Sequence, residues 1–472
     1  MTRIAGLPYQ DDLPERAGVV VLGSGLAGCA ALLAAAEAGR YAVMVEKTGS
    51  IGGSTVLSAG LSAFAGTDEQ HALGITDSIE LLRRDLLEVG DHRNDVALVD
   101  LYCAHQLETY SWLRRHGVVY GEIHAASGQT VPRSHPTDTT AMLVRLLVAA
   151  GKLGARLVMD TAAERLVYED GRVVGVDVRL SSGERRRVWA DAVVLATGGF
   201  ARNNELLTRF APQMEHALRA GGAGCEGDGL KMAMALGAGI RDMPYVKGTY
   251  GIYAEPHPHE DGTGILAVYK GAIAVNGAGQ RFVDESRNYK EIGDVALRQP
   301  GGTTWQVLDA TVMAQSSDDV PIYAFAERDR AGMLVRADSV EELEQRLALP
   351  AGSLQTTVAD YNRRIASSEP DPMGREFLCG GFGRPFALDT PPFYAQPTKT
   401  VVLATYCGVT VDTHLRVLDW WGEPIGRLFA AGEIVGGFHG SGYMTGTSIG
   451  KAAIFGRLSG THSAAVESEL TW

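Results

Sequence analysis

The sequence predicts an α/β protein, a doubly wound and mostly parallel sheet with a second α+β domain inserted into it. Three observations carry that expectation. A short β-branched run at residues 17–22 (AGVVVL) meets a glycine-rich turn and then an Ala/Leu-rich segment, the order of a βαβ unit. Further strand-and-glycine segments recur far downstream. Between about Pro244 and Pro392 the texture changes to proline, charge and irregular loop, as an insertion would. With 472 residues the chain also exceeds what one hydrophobic core usually organises.

Taken in order, residues 1–16 are polar and aperiodic and read as a lead-in. The strand at 17–22 runs into Gly23-Ser24-Gly25-Leu26-Ala27-Gly28, then a helix to about Ala38 and a second strand over 41–45, ended by Glu46 and Lys47. Residues 76–118 hold two amphipathic helices, with Leu81, Leu86, Leu98, Leu107 and Leu113 at helical spacing. A helix is expected over 139–153, and residues 156–180 alternate as a hairpin turned at Asp170-Gly171. A buried strand over 192–196 leads into Thr197-Gly198-Gly199-Phe200. Within the insertion, 339–348 reads as a mostly polar helix and 388–397 as a proline-rich exit. Strands over 417–419 and 428–431 and a helix over 447–460 return to the first domain. The expected boundaries are 14–243 with 393–472 for the first domain and 244–392 for the second.

Composition narrows the function. The net charge is −13 with Lys and Arg scattered, so no basic stripe offers itself to nucleic acid. The longest apolar run, 26–37, is too short and too Ala-rich to span a bilayer, and no charged segment precedes it as in a signal peptide. A soluble, cytoplasmic protein is expected. Five widely spaced cysteines form no C-x-x-C, and no metal, iron–sulfur or haem site is expected. The 58 glycines, well above the usual share of about 7%, cluster where backbone would approach a ligand.

G-x-G-x-x-G alone is weak evidence, but here it lies between a strand and a helix with Glu46 placed 23 residues after Gly23. Gly23 makes the tight turn, Gly25 admits a pyrophosphate, and Gly28 lets the helix pack on the sheet. The helix N-terminus supplies N–H groups and a positive dipole end, and Glu46 can accept ribose hydroxyls. Four further glycine segments favour FAD over NAD: 51–55 (IGGST), 197–199 (TGG), 227–229 (GDG) and 431–433 (AGE), the last before a glycine-rich stretch at 436–450. An extended dinucleotide crossing the strand ends would touch segments this far apart.

With those motifs in view, the chain resembles the fumarate reductase/succinate dehydrogenase flavoprotein superfamily from about Val19 to Gly460. The resemblance implies a Rossmann-like, glutathione-reductase-type FAD-binding domain with an inserted α+β capping domain. It implies FAD contacts at Gly23, Gly25, Gly28, Glu46, Lys47, Gly53, Ser54, Thr55, Gly60, Thr197, Gly198, Asp228, Glu433, Ser448 and Ile449. Members of the membrane complexes attach FAD through a histidine just after the glycine pair. Here the segment reads STVLSAGL, so attachment is expected to be non-covalent.

Residues 276–285 (NGAGQRFVDE) resemble the family's capping-domain signature. The arginine proton donor of family fumarate reductases, eight residues after the signature arginine, falls on Tyr289, and the substrate arginine of the HG-x-x-R stretch falls on Tyr443. Their two substrate histidines fall on Thr249 and Ala404. These departures count against a small dicarboxylate, whose two charges need paired cations in a dry site. A tyrosine pair with a hydroxyl residue two places on is similar to the bacterial 3-ketosteroid Δ4-(5α)-dehydrogenases. Here that pattern is Tyr289 and Tyr443 with Thr445, where that branch has serine. Arg287 is an alternative cationic donor, and Tyr250 and Tyr253 are candidates to line the cleft. Lys290 reads as solvated surface, and Arg133 and His135 as structural residues.

The expected chemistry is desaturation of an apolar ketone, or reduction of an enone, with hydride transfer at flavin N5 and tyrosine as acid or base. The electron acceptor or donor is open. Two other readings remain: a reductase or dehydrogenase of a small unsaturated acid, of urocanate or tricarballylate type, with Arg287 and Arg133 binding carboxylate; and an electron-transfer flavoprotein subunit.

Overall fold

In a computed structural model the described residues are 4–255 and 264–467. The β-branched run forms the strand Arg16–Leu22, buried from Ala17 onward and placed at the centre of an eight-stranded sheet. Its parallel neighbours are Ala42–Val45 on one side and Arg185–Leu195 on the other, with Val19 opposite Ala42 and Ala192. Arg156–Val158 extends the parallel array beyond Ala42–Val45, and Pro424–Ala430 extends it beyond Arg185–Leu195. The hairpin Thr161–Glu169 and Arg172–Leu180 turns at Asp170 and Gly171, both at positive φ, and pairs antiparallel on the same sheet. The strand expected at 192–196 is the buried end of an eleven-residue strand whose first three residues are exposed arginines.

The helix Leu26–Glu37 is buried on nearly every side because it lies between the sheet and the C-terminal helix Thr447–Ala464. Alanine on one helix and glycine on the other permit this approach: a Cβ on Gly456 or Gly460 would collide with the carbonyl oxygens of Ala27 or Ala31. The amphipathic segments fold as Ile79–Val89 and Val96–Arg115, and the next helix as Thr139–Lys152.

A second hydrophobic core, from Tyr250 to Ala395, gathers around a six-stranded sheet. Its spine is Phe393–Val402, which pairs with Thr249–Tyr253, Thr304–Leu308 and Val335–Ala337. The proline-rich stretch was expected to lead back to the first domain from residue 393. The strand over 393–402 pairs with the second sheet, and its last residues, Val401 and Val402, also pair with Leu218–Arg219, with Val402 packed in the first core. Pro397 is tolerated inside this strand, and its carbonyl accepts from the Ala254 N–H at 3.0 Å. The polar helix expected at 339–348 is Val340–Arg346, followed by a longer one, Ser353–Ser367, that the sequence reading did not single out.

Candidate active site

The first turn is built backbone on backbone. Gly23 has φ +103°, and a Cβ there would meet the Ala196 carbonyl oxygen at 2.5 Å. A Cβ on Gly28 would collide with the Gly23 carbonyl oxygen, so the helix could not lie as close to the strand. Gly25 differs: its nearest neighbours would be Thr55 Oγ1 at 3.6 Å and the Gly52 oxygen at 3.7 Å, which leaves bare backbone along a cleft. The Glu46 carboxylate accepts from the Ser24 N–H and hydroxyl at 2.9 and 2.7 Å and from the Thr48 N–H and hydroxyl at 2.8 Å each. It therefore fixes the glycine turn to the second strand as well as bordering the cleft, a structural duty the ribose reading did not include.

One continuous cleft crosses the ends of the parallel strands, and three helices begin on it, at Leu26, Asp228 and Thr447. Each is preceded by glycine (Gly25, Gly227, Gly446), which offers no capping side chain, although at the first helix the Thr55 hydroxyl accepts from the Leu26 N–H at 3.1 Å. Several helices elsewhere are capped by Ser78, Asp95, Asp138 or Asn203. Helix N-termini led by glycine, with positive dipole ends facing one cleft, suit the oxygens of a dinucleotide. The buried Thr197 hydroxyl, also on the cleft, has no hydrogen-bond partner, another group a ligand would satisfy. These features fit FAD. Of the cofactor residues expected from sequence, all but Gly28 line this cleft, and Gly28 acts through packing.

Charge along the cleft is mostly compensated. Lys47 donates to Asp228 and Glu226 at 2.7 and 2.8 Å, and against partial burial these pairs hold it above its ordinary value. Burial raises the Glu433 carboxyl, opposed by donation from the Thr405 N–H at 2.8 Å. Burial pushes Lys451 down to about 8, opposed by Glu433 and Asp242.

At the end covered by the second layer, Tyr289, Tyr406 and Tyr443 converge. The Tyr443 ring lies 6.3 Å from that of Tyr289 and 4.8 Å from that of Tyr406, centroid to centroid. Tyr289 opens the helix Tyr289–Ala296, and Asn288 just before it donates its amide to the Tyr443 carbonyl. Thr445, on the same loop, donates its N–H to the Ser127 carbonyl at 3.0 Å. Tyr406 has φ +58°, a left-handed conformation costing a non-glycine residue about 1–2 kcal/mol, held at the site. Burial lifts all three phenols above their ordinary value, Tyr289 and Tyr406 well above it. At neutral pH they are proton donors.

Lys290, expected as solvated surface, lies among these rings. It is 2% exposed, its Nζ donates to the Thr249 hydroxyl, and it sits 4.8 to 5.6 Å from the three ring centroids. Burial pushes it down to about 7, opposed by Asp294 and Glu433. A backbone contact positions it: a Cβ on Gly293 would stand 2.7 Å from the Gly248 oxygen, so this helix lies directly against the chain leading to Thr249.

Arg287 is corrected. Its side chain is 55% exposed, lies 3.6 Å from Glu291 and is not among the cleft's lining residues, because it precedes the turn that carries Tyr289 inward. Arg133 is fully buried and donates to Asp77 at 2.8 and 2.9 Å and also to Asp85, which leaves it no fork for a substrate. His135 is held by the Thr67 hydroxyl at 2.8 Å. Thr249, Ala404 and Tyr250 line the cleft, while Tyr253 does not. Sequence reasoning missed Lys290 and Tyr406. The buried stripe of Ile292, Gly293 and Ala296 marks the inner face of that helix and was the available signal for Lys290.

No helix among the described residues is long and apolar enough to cross a membrane. Comparison with known proteins matches the FAD binding domain family to residues 18–449. A fumarate reductase (cytochrome) of Shewanella frigidimarina is 33% identical over 457 residues, 94% of this chain and 76% of that protein. The open conformation of a flavocytochrome c3 fumarate reductase superposes with a TM-score of 0.81 at 30% identity, covering 95% of this chain and 78% of the other. The 3-ketosteroid-Δ4-(5α)-dehydrogenase of Rhodococcus jostii RHA1, solved with 4-androstene-3,17-dione, gives 0.76 at 29% identity over 97% of this chain and 99% of the other. The glycine-lined cleft, its glycine-led helix ends and these likenesses agree: the chain belongs to the fumarate reductase/succinate dehydrogenase flavoprotein superfamily and is an FAD-dependent oxidoreductase acting on CH–CH bonds.

Proposed function

We propose that the protein interconverts an apolar ketone of 3-ketosteroid type and its α,β-unsaturated counterpart. The observation that carries this reading is the make-up of the cleft's inner end: Tyr289, Tyr406 and Tyr443 around Lys290, with Tyr250, Tyr269 and Tyr323 also on the lining and no arginine among the lining residues described. A dicarboxylate would lose the hydration of two charges there and regain one cation at that end. The likeness to a dehydrogenase solved with a steroid supports it. FAD, held without a covalent bond, would supply hydride chemistry at N5. The capping domain, taken as 244–392 with the strand Phe393–Val402 added, would close over the substrate. Tyr443 and Thr445 would serve one end of the reacting unit and Tyr289 the other, one hydroxyl moving the proton and one holding the carbonyl.

Tyr443→Phe tests this. Reduction of bound FAD by substrate should slow by at least about a hundredfold, with FAD content unchanged. Undiminished turnover would remove the residue from the mechanism. A second reading, reduction of a small unsaturated acid, is favoured by the identity with fumarate reductases and by Lys290, a single cation that could take one carboxylate. Flavin bleaching or reoxidation across a panel of steroids, apolar enones and small acids separates the two. Anaerobic reduction by a small molecule alone argues against a subunit that only relays electrons.

A further inference from the structure

Lys290 carries more donors than the chain satisfies. Its ammonium has three N–H bonds, and the Thr249 hydroxyl is the acceptor recorded for it among the described residues. The carboxylates that oppose its downward shift are both engaged elsewhere. Asp294 accepts from the Lys247 Nζ at 2.9 Å and the Gly248 N–H at 3.2 Å, and Glu433 from Thr405. The three tyrosine rings offer π faces at 4.8 to 5.6 Å, and His439, nearby, is held well below its ordinary value by burial and by the charges of Lys451 and Lys290. A dry ammonium with spare donors lines the same cleft as Tyr443 and Thr445. A ligand oxygen would supply the missing acceptor.

We propose that Lys290 is the oxyanion anchor of this site, binding the one substrate oxygen on which negative charge builds. That this oxygen belongs to a ketone rests on the reading above; the single-oxyanion anchor does not. In the reducing direction, a hydride arriving at the β-carbon of an enone drives an electron pair onto the carbonyl oxygen, giving an enolate beside the ammonium. A tyrosine hydroxyl then gives its proton to the α-carbon, the carbonyl re-forms, and the tyrosinate left behind lies beside the same cation. Stabilisation by Lys290 is thus larger in the charged state than in the neutral ketone, the condition for a rate effect.

4-Nitrophenol, whose ionised form is a stable aromatic enolate, is the probe. The FAD-loaded protein is titrated with it and followed by the phenolate absorption and by perturbation of the flavin bands. Wild type should bind the phenolate, Lys290→Met should lose at least about tenfold in affinity, and Lys290→Arg should retain most of it. Affinity for neutral 4-androstene-3,17-dione should change far less. Equal phenolate binding by wild type and Lys290→Met overturns the proposal, and so does absence of phenolate binding in wild type. If Lys290→Met does not hold FAD, Thr249→Val, which removes the hydroxyl that accepts from the ammonium, is read in its place. Unchanged phenolate affinity in that variant overturns the proposal. Lys290-dependent phenolate binding without turnover of any ring ketone would end the ketone reading and leave the anchor standing. Ketone turnover with Lys290-independent phenolate binding would do the reverse.

Discussion

Lys290 makes the folded state pay for a charge that water would otherwise solvate, and the cost has a pH signature. The ammonium is taken from an ordinary 10.5 down to about 7 by burial. At about 1.36 kcal/mol per pH unit, the full penalty is roughly 5 kcal/mol. Below pH 7 the side chain is charged in both states, and the folded protein bears all of it. Between pH 7 and 10.5 the unfolded chain holds a proton that the folded one has released, so stability rises with pH until both are neutral. From pH 6 to pH 9 this amounts to about 2.5 kcal/mol. Lys290→Met keeps the length of the side chain and abolishes the titration. Urea unfolding with saturating FAD at pH 6, 7.5 and 9 compares the two proteins, and the titrations of Lys451, His439 and the tyrosines largely cancel in the difference. The stability advantage of the Met variant should be greatest at pH 6 and shrink by about 2.5 kcal/mol at pH 9. A difference constant to within about 0.5 kcal/mol over that range would show that Lys290 keeps its ordinary affinity for the proton, and the account of a dry ammonium would be wrong.

Two further outcomes follow from the geometry. Gly28→Ala drives a methyl group into the Gly23 carbonyl oxygen and must lift the first helix off the strand, so it should cost about 1–3 kcal/mol and weaken FAD retention, read as the ratio of flavin to protein absorbance and the melting temperature. Arg287→Ala removes an exposed side chain whose ion-pair partner is Glu291, so turnover should stay within about twofold of wild type; a larger loss would return Arg287 to the chemistry.

What the sequence made legible was local. The run at Ala17–Leu22 followed by a glycine turn needs no distant partner to be recognised, and Glu46 stands where the second strand must end. The second sheet was hidden for the opposite reason. Its strands at Thr249–Tyr253, Ile273–Val275 and Val335–Ala337 are five residues or fewer; the first and last become a sheet through Phe393–Val402, far along the chain, and Ile273–Val275 joins it through Thr304–Leu308. Nothing in a proline-bearing segment announces a spine.

The same contrast separates the residues found in the site from those missed. Tyr289 and Tyr443 were found because a family motif places them at fixed offsets from a signature arginine and a His-Gly pair. Lys290 and Tyr406 have no such motif. Lys290 stands between a tyrosine and a glutamate in a polar run, and its burial is decided by Gly293 lying against Gly248 and by two loops that arrive from residues 403–406 and 439–445. Tyr406 takes a backbone conformation that its side chain disfavours, which no propensity would assign to it. Sequence reasoning therefore read the inner end of the cleft as phenols and hydroxyls and omitted Lys290, a buried cation. That omission bears on the chemistry, because neutral phenols lifted by burial can donate hydrogen bonds to an oxygen gathering charge but cannot neutralise that charge. An ammonium among them supplies that role, and it also explains how a site lacking the arginines of the fumarate reductase pattern could still hold a developing oxyanion.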